Sequence, residues 1–184
     1  MTNNAAKPKG GVYAGTFDPI TRGHLDIILQ AARVVPRLTV LVAVNADKRP
    51  VFSDAERVDM IRHEIDAHVI PALAAEGITC DIQVEKSSGL TAAFMEANDC
   101  PFYIRGLRPG TDFDNEYPVA MAGRKEYAAF QPLFFVASDP HLNTVSSSLA
   151  RELARLGGKS LSAHVTPYVE QKLKQRLKPK PPSP

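Results

Sequence analysis

The stretch that decides the fold is VYAGTFDPITRGHL, which spans residues 12–25. It begins with a short apolar run, Val12 to Ala14, that is typical of a strand buried in a sheet. After Gly15 and a polar loop, a helical pattern begins near Gly23. A strand that leads through a short loop into a helix is the repeating unit of α/β proteins, so we expect a ligand to meet the chain in that loop.

The same alternation of strand and helix continues along the chain. Further apolar runs predict strands at 38–44, 78–84, 102–104 and 133–136. Helical patterns cover 23–35, 90–98, 112–127, 147–156 and 167–177. The capping box Ser53–Glu56 predicts the start of a further helix. We therefore predict an α/β fold, a Rossmann-like, doubly wound sheet of about five mostly parallel strands with flanking helices.

The composition is that of an ordinary globular protein and excludes several other classes. The 184 residues are 44% hydrophobic and 23% charged, with a net charge of +2. No apolar run is long enough to cross a bilayer, and Met1 to Gly10 is polar, unlike a signal peptide. The two cysteines, Cys80 and Cys100, form neither a disulfide framework nor a metal-binding spacing. We expect a cytoplasmic protein that does not contact membranes.

Basic residues are concentrated at the end of the chain. Residues 172–184 contain five lysines and arginines and no acid, so the remainder carries a slight excess of acid. We expect a flexible N-terminus over residues 1–10, one folded domain over 11–177 and a disordered Lys/Pro tail over 178–184. Because no predicted helix has a basic face, we do not expect nucleic-acid binding.

Four of the five loops that follow predicted strands carry groups that bind phosphate. In chain order these groups are Thr16 with His24, then Lys48, then Arg105 with Arg108, and finally Ser146 to Ser148. Guanidinium groups pair with phosphate oxygens in a bidentate manner, and a histidine or serines at a helix N-terminus suit an anion. Simpler interpretations stay open for single loops: a helix cap with a surface histidine, a solvated Lys48–Arg49 pair, or a plain serine cap.

Together these groups suit a polyphosphate and a reaction without a protein nucleophile. The four loops show no carboxylate or thiol that is placed to attack. A phosphate monoester is mostly dianionic near neutral pH, because its second pKa is about 6, and it needs no general base when it attacks. The protein then has only to align two anions and neutralise charge on the reacting phosphorus.

The motifs in these loops resemble those of a known superfamily. Gly15-Thr-Phe-Asp-Pro-x-Thr-x-Gly-His24 and Val145-Ser-Ser-Ser-x-x-Arg151 resemble the nucleotidyltransferases with T/HxGH and ISSxxxR-type motifs. Within that superfamily the chain closely resembles the bacterial phosphopantetheine adenylyltransferases, through Tyr13-x-Gly-Thr-Phe-Asp-Pro19, Lys48-x-Pro50, Arg105-Gly-Leu-Arg108 and Asp112-Phe113…Glu116. The resemblance extends from about Gly11 to Leu177, so it implies a nucleotidyltransferase domain over 11–177.

This resemblance implies a reaction and its partners. Members of the family transfer the adenylyl group of ATP to 4′-phosphopantetheine with Mg²⁺, and they release dephospho-coenzyme A and pyrophosphate in coenzyme A biosynthesis. Family members are usually homohexamers, and coenzyme A inhibits them. We expect the same substrates, cofactor, self-association and feedback inhibitor here.

The resemblance also implies a role for each matching residue. The catalytic residues would be His24, Lys48, Thr16 and Arg105. ATP would contact Thr16, Phe17, His24, Gly106, Leu107, Arg108, Glu116, Leu142, Asn143, Thr144, Val145, Ser146, Ser147 and Ser148. The acceptor would contact Thr16, Lys48, Leu90, Thr91 and Arg105. No residue stands out as a ligand of Mg²⁺.

Three positions depart from what is common in the family. Asn115 stands where an aromatic residue is common, Gly123 where asparagine is frequent, and Leu142 where some members have tryptophan.

Two alternative functions stay open. A related nucleotidyltransferase with another acceptor or base is one alternative. The other is a nucleotide-binding module without catalytic activity.

Overall fold

A five-stranded parallel sheet organises the fold. The structure, a computed structural model, describes residues 9–44, 49–110 and 112–177. The strands are β1 (Gly11–Gly15), β2 (Arg37–Ala43), β3 (Asp81–Ser87), β4 (Phe102–Leu107) and β5 (Gln131–Val136). They are all parallel and lie in the order β3-β2-β1-β4-β5. The predicted α/β sheet is confirmed, and its central strand is the one on which residues 12–25 begin.

Helices connect these strands. They are α1 (Arg22–Ala32), α2 (Asp54–Glu64), α3 (Ile70–Ala75), α4 (Thr91–Ala97), α5 (Asp112–Glu126), α6 (Ser147–Leu156), α7 (Leu161–His164) and α8 (Pro167–Arg176). A π-helical turn at Ile65–Val69 joins α2 to α3, and a 3₁₀ turn at Pro140–Thr144 precedes α6. None of the helices in the described part of the chain is long and apolar enough to cross a membrane.

Both faces of the sheet are covered, which makes the fold doubly wound. Tyr13 and Ile104 belong to a core on one face, which α1, α2 and α8 complete. Val12 and Tyr103 belong to a smaller core on the opposite face, which α4 and α5 complete. Adjacent residues of one strand therefore enter different cores, as the alternation of side chains along a strand requires.

The third strand begins at Asp81 and not at Ile78, where the apolar run begins. Ile78 lies instead in the turn after α3, where its N–H donates to the carbonyl of Leu73 over 2.9 Å. Gly77 has a φ of +68° in that turn, a conformation that glycine adopts without strain. Ile78 still packs against the core, so its apolar side chain reflects partial burial and does not indicate that the strand begins there.

Candidate functional site

A cleft of about 400 Å³ opens at the carboxyl ends of β1, β4 and β5. The first turns of α1, α5 and α6 border it, so three helix N-termini face the same space. Most of the residues predicted to bind ATP line this cleft: Phe17, His24, Gly106, Leu107, Arg108, Glu116, Leu142, Val145, Ser146, Ser147 and Ser148. Arg105, predicted to bind the acceptor, lines it too. Three of the four predicted loops therefore meet in one place.

Other predicted residues lie outside this cleft. Thr16 is exposed and lines a neighbouring hollow of about 390 Å³, together with Asp18, Arg49, Pro50, Ser147, Ser148 and Arg151. Asn143 and Thr144 lie on the 3₁₀ turn beside the cleft. Leu90 and Thr91 lie at the start of α4, which follows the edge strand β3, and Leu90 is 65% exposed. Lys48 lies outside the described residues.

His24 is held at the N-terminus of α1 by a reciprocal cap. The backbone N–H of Thr21 donates to Nδ1 of His24 over 3.1 Å, and the backbone N–H of His24 donates to Oγ1 of Thr21 over 3.4 Å. The ring packs edge-on against Phe17, with 5.0 Å between the ring centroids. Burial, together with the charges of Arg105 and Arg108, lowers the pKa of His24 to about 4. His24 is therefore neutral at physiological pH.

Phe17 lines the cleft, and its backbone has an unfavourable conformation. Its φ is +47°, which is uncommon for a residue with a side chain. The ring is only 3% exposed and contacts Tyr13 edge-on, with 5.3 Å between the centroids. A Cβ atom on Gly15 would lie 2.9 Å from the Phe17 ring, so glycine is needed where the chain turns out of β1. Burial raises the pKa of Tyr13, so its phenol stays protonated.

Arg105 stands at the end of β4 with its guanidinium already engaged. Nη1 donates to the carbonyl of Ala14 over 2.7 Å, and Nη2 forms an ion pair with Oε1 of Glu116. Nε of Arg105 and Oε2 of Glu116 are buried without a hydrogen-bond partner among the described residues. Buried polar atoms of this kind are rare in native proteins. The pair therefore keeps unused hydrogen-bonding capacity.

Arg108 is paired in a similar way with the first turn of α5. Its Nε donates to Oδ2 of Asp112 over 2.9 Å, and its backbone N–H donates to the same oxygen over 3.1 Å. These contacts lower the pKa of Asp112, so the carboxylate is ionised. Both arginines that the sequence predicts to bind phosphate, Arg105 and Arg108, thus form ion pairs with carboxylates. Asp112 lines the cleft with Asn115.

A second layer of contacts holds the loop after β1, and sequence reasoning missed it. The carboxylate of Asp18 accepts hydrogen bonds from the backbone N–H groups of Val51 and Phe52, over 2.9 and 3.0 Å. Arg151 donates to the carbonyl of Asp18 and, over 3.4 Å, to Oγ of Ser148. Asp18 therefore joins three segments that reach the site from different parts of the chain.

Helix α1 also anchors the loop that leads into α6. The carboxylate of Asp26 accepts hydrogen bonds from Ser138, one of them from its backbone N–H over 3.0 Å. Gln30 donates to the carbonyl of Val136 over 2.9 Å. Ser146 then caps α6 by accepting from the N–H of Leu149 over 3.2 Å. One helix thus positions both His24 and the loop that carries Ser146 to Ser148.

The assembled site can bind a polyphosphate, and among the described residues no thiol and no unpaired carboxylate lines it. Its guanidiniums, hydroxyls and helix N-termini favour anions, and the carboxylates of Asp112 and Glu116 form ion pairs with the two arginines. The two cysteines lie elsewhere, and burial raises the pKa of both thiols, that of Cys80 to about 11. Within residues 9–44, 49–110 and 112–177 there is no group of three His, Cys, Asp or Glu side chains that could hold a metal.

Comparisons with known proteins agree with this geometry. Residues 12–153 match the family model described as cytidylyltransferase-like. The chain is 37% identical to a phosphopantetheine adenylyltransferase from Dictyoglomus turgidum, over 92% of this chain and 98% of that protein. It is 40% identical to one from Rhodospirillum centenum, over 95% of this chain and 90% of that protein. Its fold is similar to that of Plasmodium falciparum nicotinic acid mononucleotide adenylyltransferase complexed with NaAD. The TM-score is 0.65 at 13% identity, over 91% of this chain and 95% of that one.

Proposed function

The chain belongs to the phosphopantetheine adenylyltransferases, within the cytidylyltransferase-like family, and we propose that its cleft at the ends of β1, β4 and β5 is the active site. The reaction transfers the adenylyl group of ATP to 4′-phosphopantetheine and releases pyrophosphate, a step of coenzyme A biosynthesis. The observation that carries the assignment of the site is the convergence of His24, Arg105, Arg108 and the N-terminus of α6 on one cleft.

The chemical step is an in-line displacement at the α-phosphorus of ATP. An oxygen of the phosphopantetheine phosphate forms the new P–O bond, and the bond to the pyrophosphate oxygen breaks. The electron pair leaves with pyrophosphate, so no proton has to move to or from the protein. His24 hydrogen-bonds to oxygens of the reacting phosphates and stabilises the charge that develops there.

Arg105 and Lys48 hold the phosphate of the acceptor, and Thr16 lies between the two substrates. The ion pair of Arg105 with Glu116 keeps the guanidinium in place until a phosphate arrives. The phosphate then either displaces the carboxylate or shares the guanidinium with it, since Arg105 lines the cleft and its Nε has no hydrogen-bond partner among the described residues. The apolar side chain of Leu90, together with Thr91, contacts the pantetheine arm.

ATP occupies the side of the cleft formed by β4, the 3₁₀ turn and α6. The backbone of Gly106 to Arg108 and the Glu116 side chain contact the nucleotide, as do residues 142–148. The N-terminus of α6 and the hydroxyls of Ser146 to Ser148 bind the phosphates, because unpaired N–H groups and the helix dipole favour an anion there.

We propose that the phosphates of ATP would hold the Mg²⁺ that the reaction needs. Mg²⁺ in nucleotide-dependent enzymes keeps several waters and is bound by substrate phosphates and one or two carboxylates. The described residues contain no cluster of three potential ligands, which fits a metal that ATP brings and does not fit a resident metal centre. By family likeness we also propose a cytoplasmic homohexamer that coenzyme A inhibits.

A substrate comparison tests the function. The protein is incubated with ATP or CTP and with 4′-phosphopantetheine or nicotinic acid mononucleotide, and pyrophosphate and the nucleotide product are measured. We expect turnover with ATP and 4′-phosphopantetheine, and at least about a hundredfold lower kcat/KM with the other pairs. Turnover with another pair but not with 4′-phosphopantetheine would assign a different acceptor, and binding of nucleotide without any turnover would make the protein a binding module.

A further inference from the structure

The contact between Thr21 and the ring of His24 determines where the ring carries its hydrogen. Thr21 is 2% exposed, and its backbone N–H points at Nδ1 of His24 over 3.1 Å. The Thr21 hydroxyl oxygen is also 3.1 Å from Nδ1. A backbone N–H can only donate, so Nδ1 has to accept, and a nitrogen that accepts carries no hydrogen. In the neutral ring the hydrogen is then on Nε2, at the opposite edge of the ring from the cap.

We infer that Thr21 is a positioning residue that holds His24 as the tautomer with its hydrogen on Nε2, so that the ring meets the phosphates as a neutral hydrogen-bond donor. The role rests on the proposed active site, in which His24 contacts the reacting phosphates. Thr21 borders the cleft but is 2% exposed, and its backbone N–H and hydroxyl both face Nδ1 of His24, so it acts through His24.

The third residue of α1 is His24, and its place in the cap indicates that the cap both stabilises the helix and holds the ring. Reciprocal caps of this kind are usually completed by Glu or Gln, whose side chain accepts from the backbone N–H of the capping residue. Here His24 takes that place, and Nδ1 is the accepting atom. The start of α2 shows the usual version, in which Glu56 accepts from the N–H of Ser53 over 2.9 Å. Glutamate would serve the helix equally well, so capping alone does not require a histidine.

The charges around the ring oppose the protonated form. Arg105 and Arg108 from the end of β4 are the charged groups that act on His24, and both are cationic. Tyr13 and Phe17 flank the ring with uncharged aromatic faces, their centroids 6.3 and 5.0 Å from that of His24. A proton on Nδ1 would also face the N–H of Thr21. The ring therefore donates a hydrogen bond through Nε2 and does not transfer a proton, which suits a reaction that needs no proton transfer.

The experiment reads the tautomer by NMR and the chemistry by kinetics on the same proteins. Long-range ¹H–¹⁵N correlation spectra of histidine-labelled protein distinguish the two neutral tautomers and the imidazolium. The signals of His24 are assigned by their loss in His24→Gln. We expect wild-type His24 to show the hydrogen on Nε2 at pH 7 and Thr21→Ser, which keeps the hydroxyl, to show the same with kcat within about twofold.

Thr21→Val keeps the backbone N–H but removes the hydroxyl, which accepts from the N–H of His24 and lies 3.1 Å from Nδ1, so the cap that holds the N–H against Nδ1 loosens. We expect a mixture of tautomers, a kcat lower by about tenfold or more, and a KM for ATP within about threefold. Ser53→Ala is the matched control, since it removes the same kind of cap from α2, where no histidine takes part. It should lose a similar stability of about 1 kcal/mol and leave both the His24 signals and kcat unchanged.

Several results would overturn the inference. They are an imidazolium or a hydrogen on Nδ1 in the wild type at pH 7, or a folded Thr21→Val protein in which the tautomer, kcat or both stay as in the wild type. The wild-type spectrum decides the tautomer even if Thr21→Val does not fold. If the wild type has no adenylyl transferase activity, the proposed function fails, and the catalytic role of Thr21 fails with it.

Discussion

Nη1 of Arg57 donates to the carbonyl of Thr16 over 2.6 Å. The same nitrogen lies 3.4 Å from the carbonyl of Ala43, so one guanidinium of α2 joins the ends of β1 and β2. Arg57 is 3% exposed, and a buried guanidinium without a carboxylate partner is costly unless its N–H groups are used. Thr16 is thus held through its backbone while its side chain remains exposed to a substrate.

Arg57→Lys tests this contact. An ammonium group cannot reproduce the geometry of the guanidinium, so we expect Thr16 to lose its fixed position and kcat to fall by about tenfold or more. The KM values for both substrates should change less than kcat. Arg62→Lys is the control, because Arg62 lies on the same helix and donates to the carbonyl of Val84 over 3.1 Å, away from the cleft. Equal effects of the two substitutions on kcat would contradict the positioning role of Arg57.

His24→Ala removes the hydrogen-bond donor from the reacting phosphates. We expect kcat to fall by about 10²- to 10³-fold while ATP still binds, since the contact strengthens as charge develops in the transition state. Single-turnover kinetics and an ATP titration measure the two quantities separately. His63→Ala, at a histidine that stacks on Tyr168 away from the cleft, should leave both unchanged. Near-normal turnover of His24→Ala would remove His24 from the mechanism.

Arg105→Lys changes the residue proposed to hold the acceptor phosphate. Lysine cannot form the bidentate pair with phosphate or keep the contacts with both Ala14 and Glu116. We expect the KM for 4′-phosphopantetheine to rise by about tenfold or more, with a smaller change for ATP. Arg155→Lys, in the last turn of α6, is the control for the charge-conserving exchange. An unchanged KM for the acceptor would assign the phosphate to other residues.

The lowered pKa of His24 makes stability depend on pH with a defined sign. The folded chain binds the proton with a pKa of about 4, below the ordinary value of 6.5. The unfolded chain therefore binds more protons between these values, and acid in this range favours unfolding. Between pH 6.5 and about pH 4.5, wild type should lose about 1–2 kcal/mol more than His24→Gln. Urea unfolding at a series of pH values measures the difference, and parallel curves for the two proteins would contradict the shift.

Gly123 on α5 has no room for a side chain. A Cβ atom there would lie 2.5 Å from two ring carbons of Phe130. We expect Gly123→Ala to lower the free energy of unfolding by about 1–2 kcal/mol, although alanine favours a helix, because the core would be overpacked. Adding Phe130→Leu should reverse part of the loss. Gly89→Ala, where the nearest atom would be 3.9 Å away, is the control, and a stable Gly123→Ala would show that Phe130 moves freely.

The sequence predicted the fold where a local pattern and the final packing agree. The run at 38–44 is apolar because β2 is buried on both faces, and the structure places β2 at Arg37–Ala43. The continuation of α2 through a π-helical turn into α3 was not predicted, since a proline at position 71 lies next to the junction. Ile78 packs on the core from a turn, so its apolar character alone could not locate the start of β3.

The site was predictable in its loops and not in the contacts that support them. Glycines, arginines and serines after strands indicate phosphate binding from local spacing alone. A single arginine such as Arg57 in an amphipathic helix is typical of a solvated residue, and its carbonyl partners come from two strands that only the fold brings together. The pairing of Arg105 with Glu116 joins residues eleven apart across a loop, so sequence motifs indicate both residues but not their contact.

The central claim is that the acceptor's phosphate attacks ATP directly. The protein only aligns the two substrates and neutralises the charge that develops at the reacting phosphorus. Stereochemistry at the α-phosphorus tests it most directly. The enzyme is given adenosine 5′-O-(1-thiotriphosphate) of one configuration with 4′-phosphopantetheine, and the configuration at the sulfur-bearing phosphorus of the thiodiphosphate linkage in the dephospho-coenzyme A product is determined. A single in-line displacement predicts inversion. Retention would show two successive displacements through a covalent adenylyl-protein intermediate and would contradict the account.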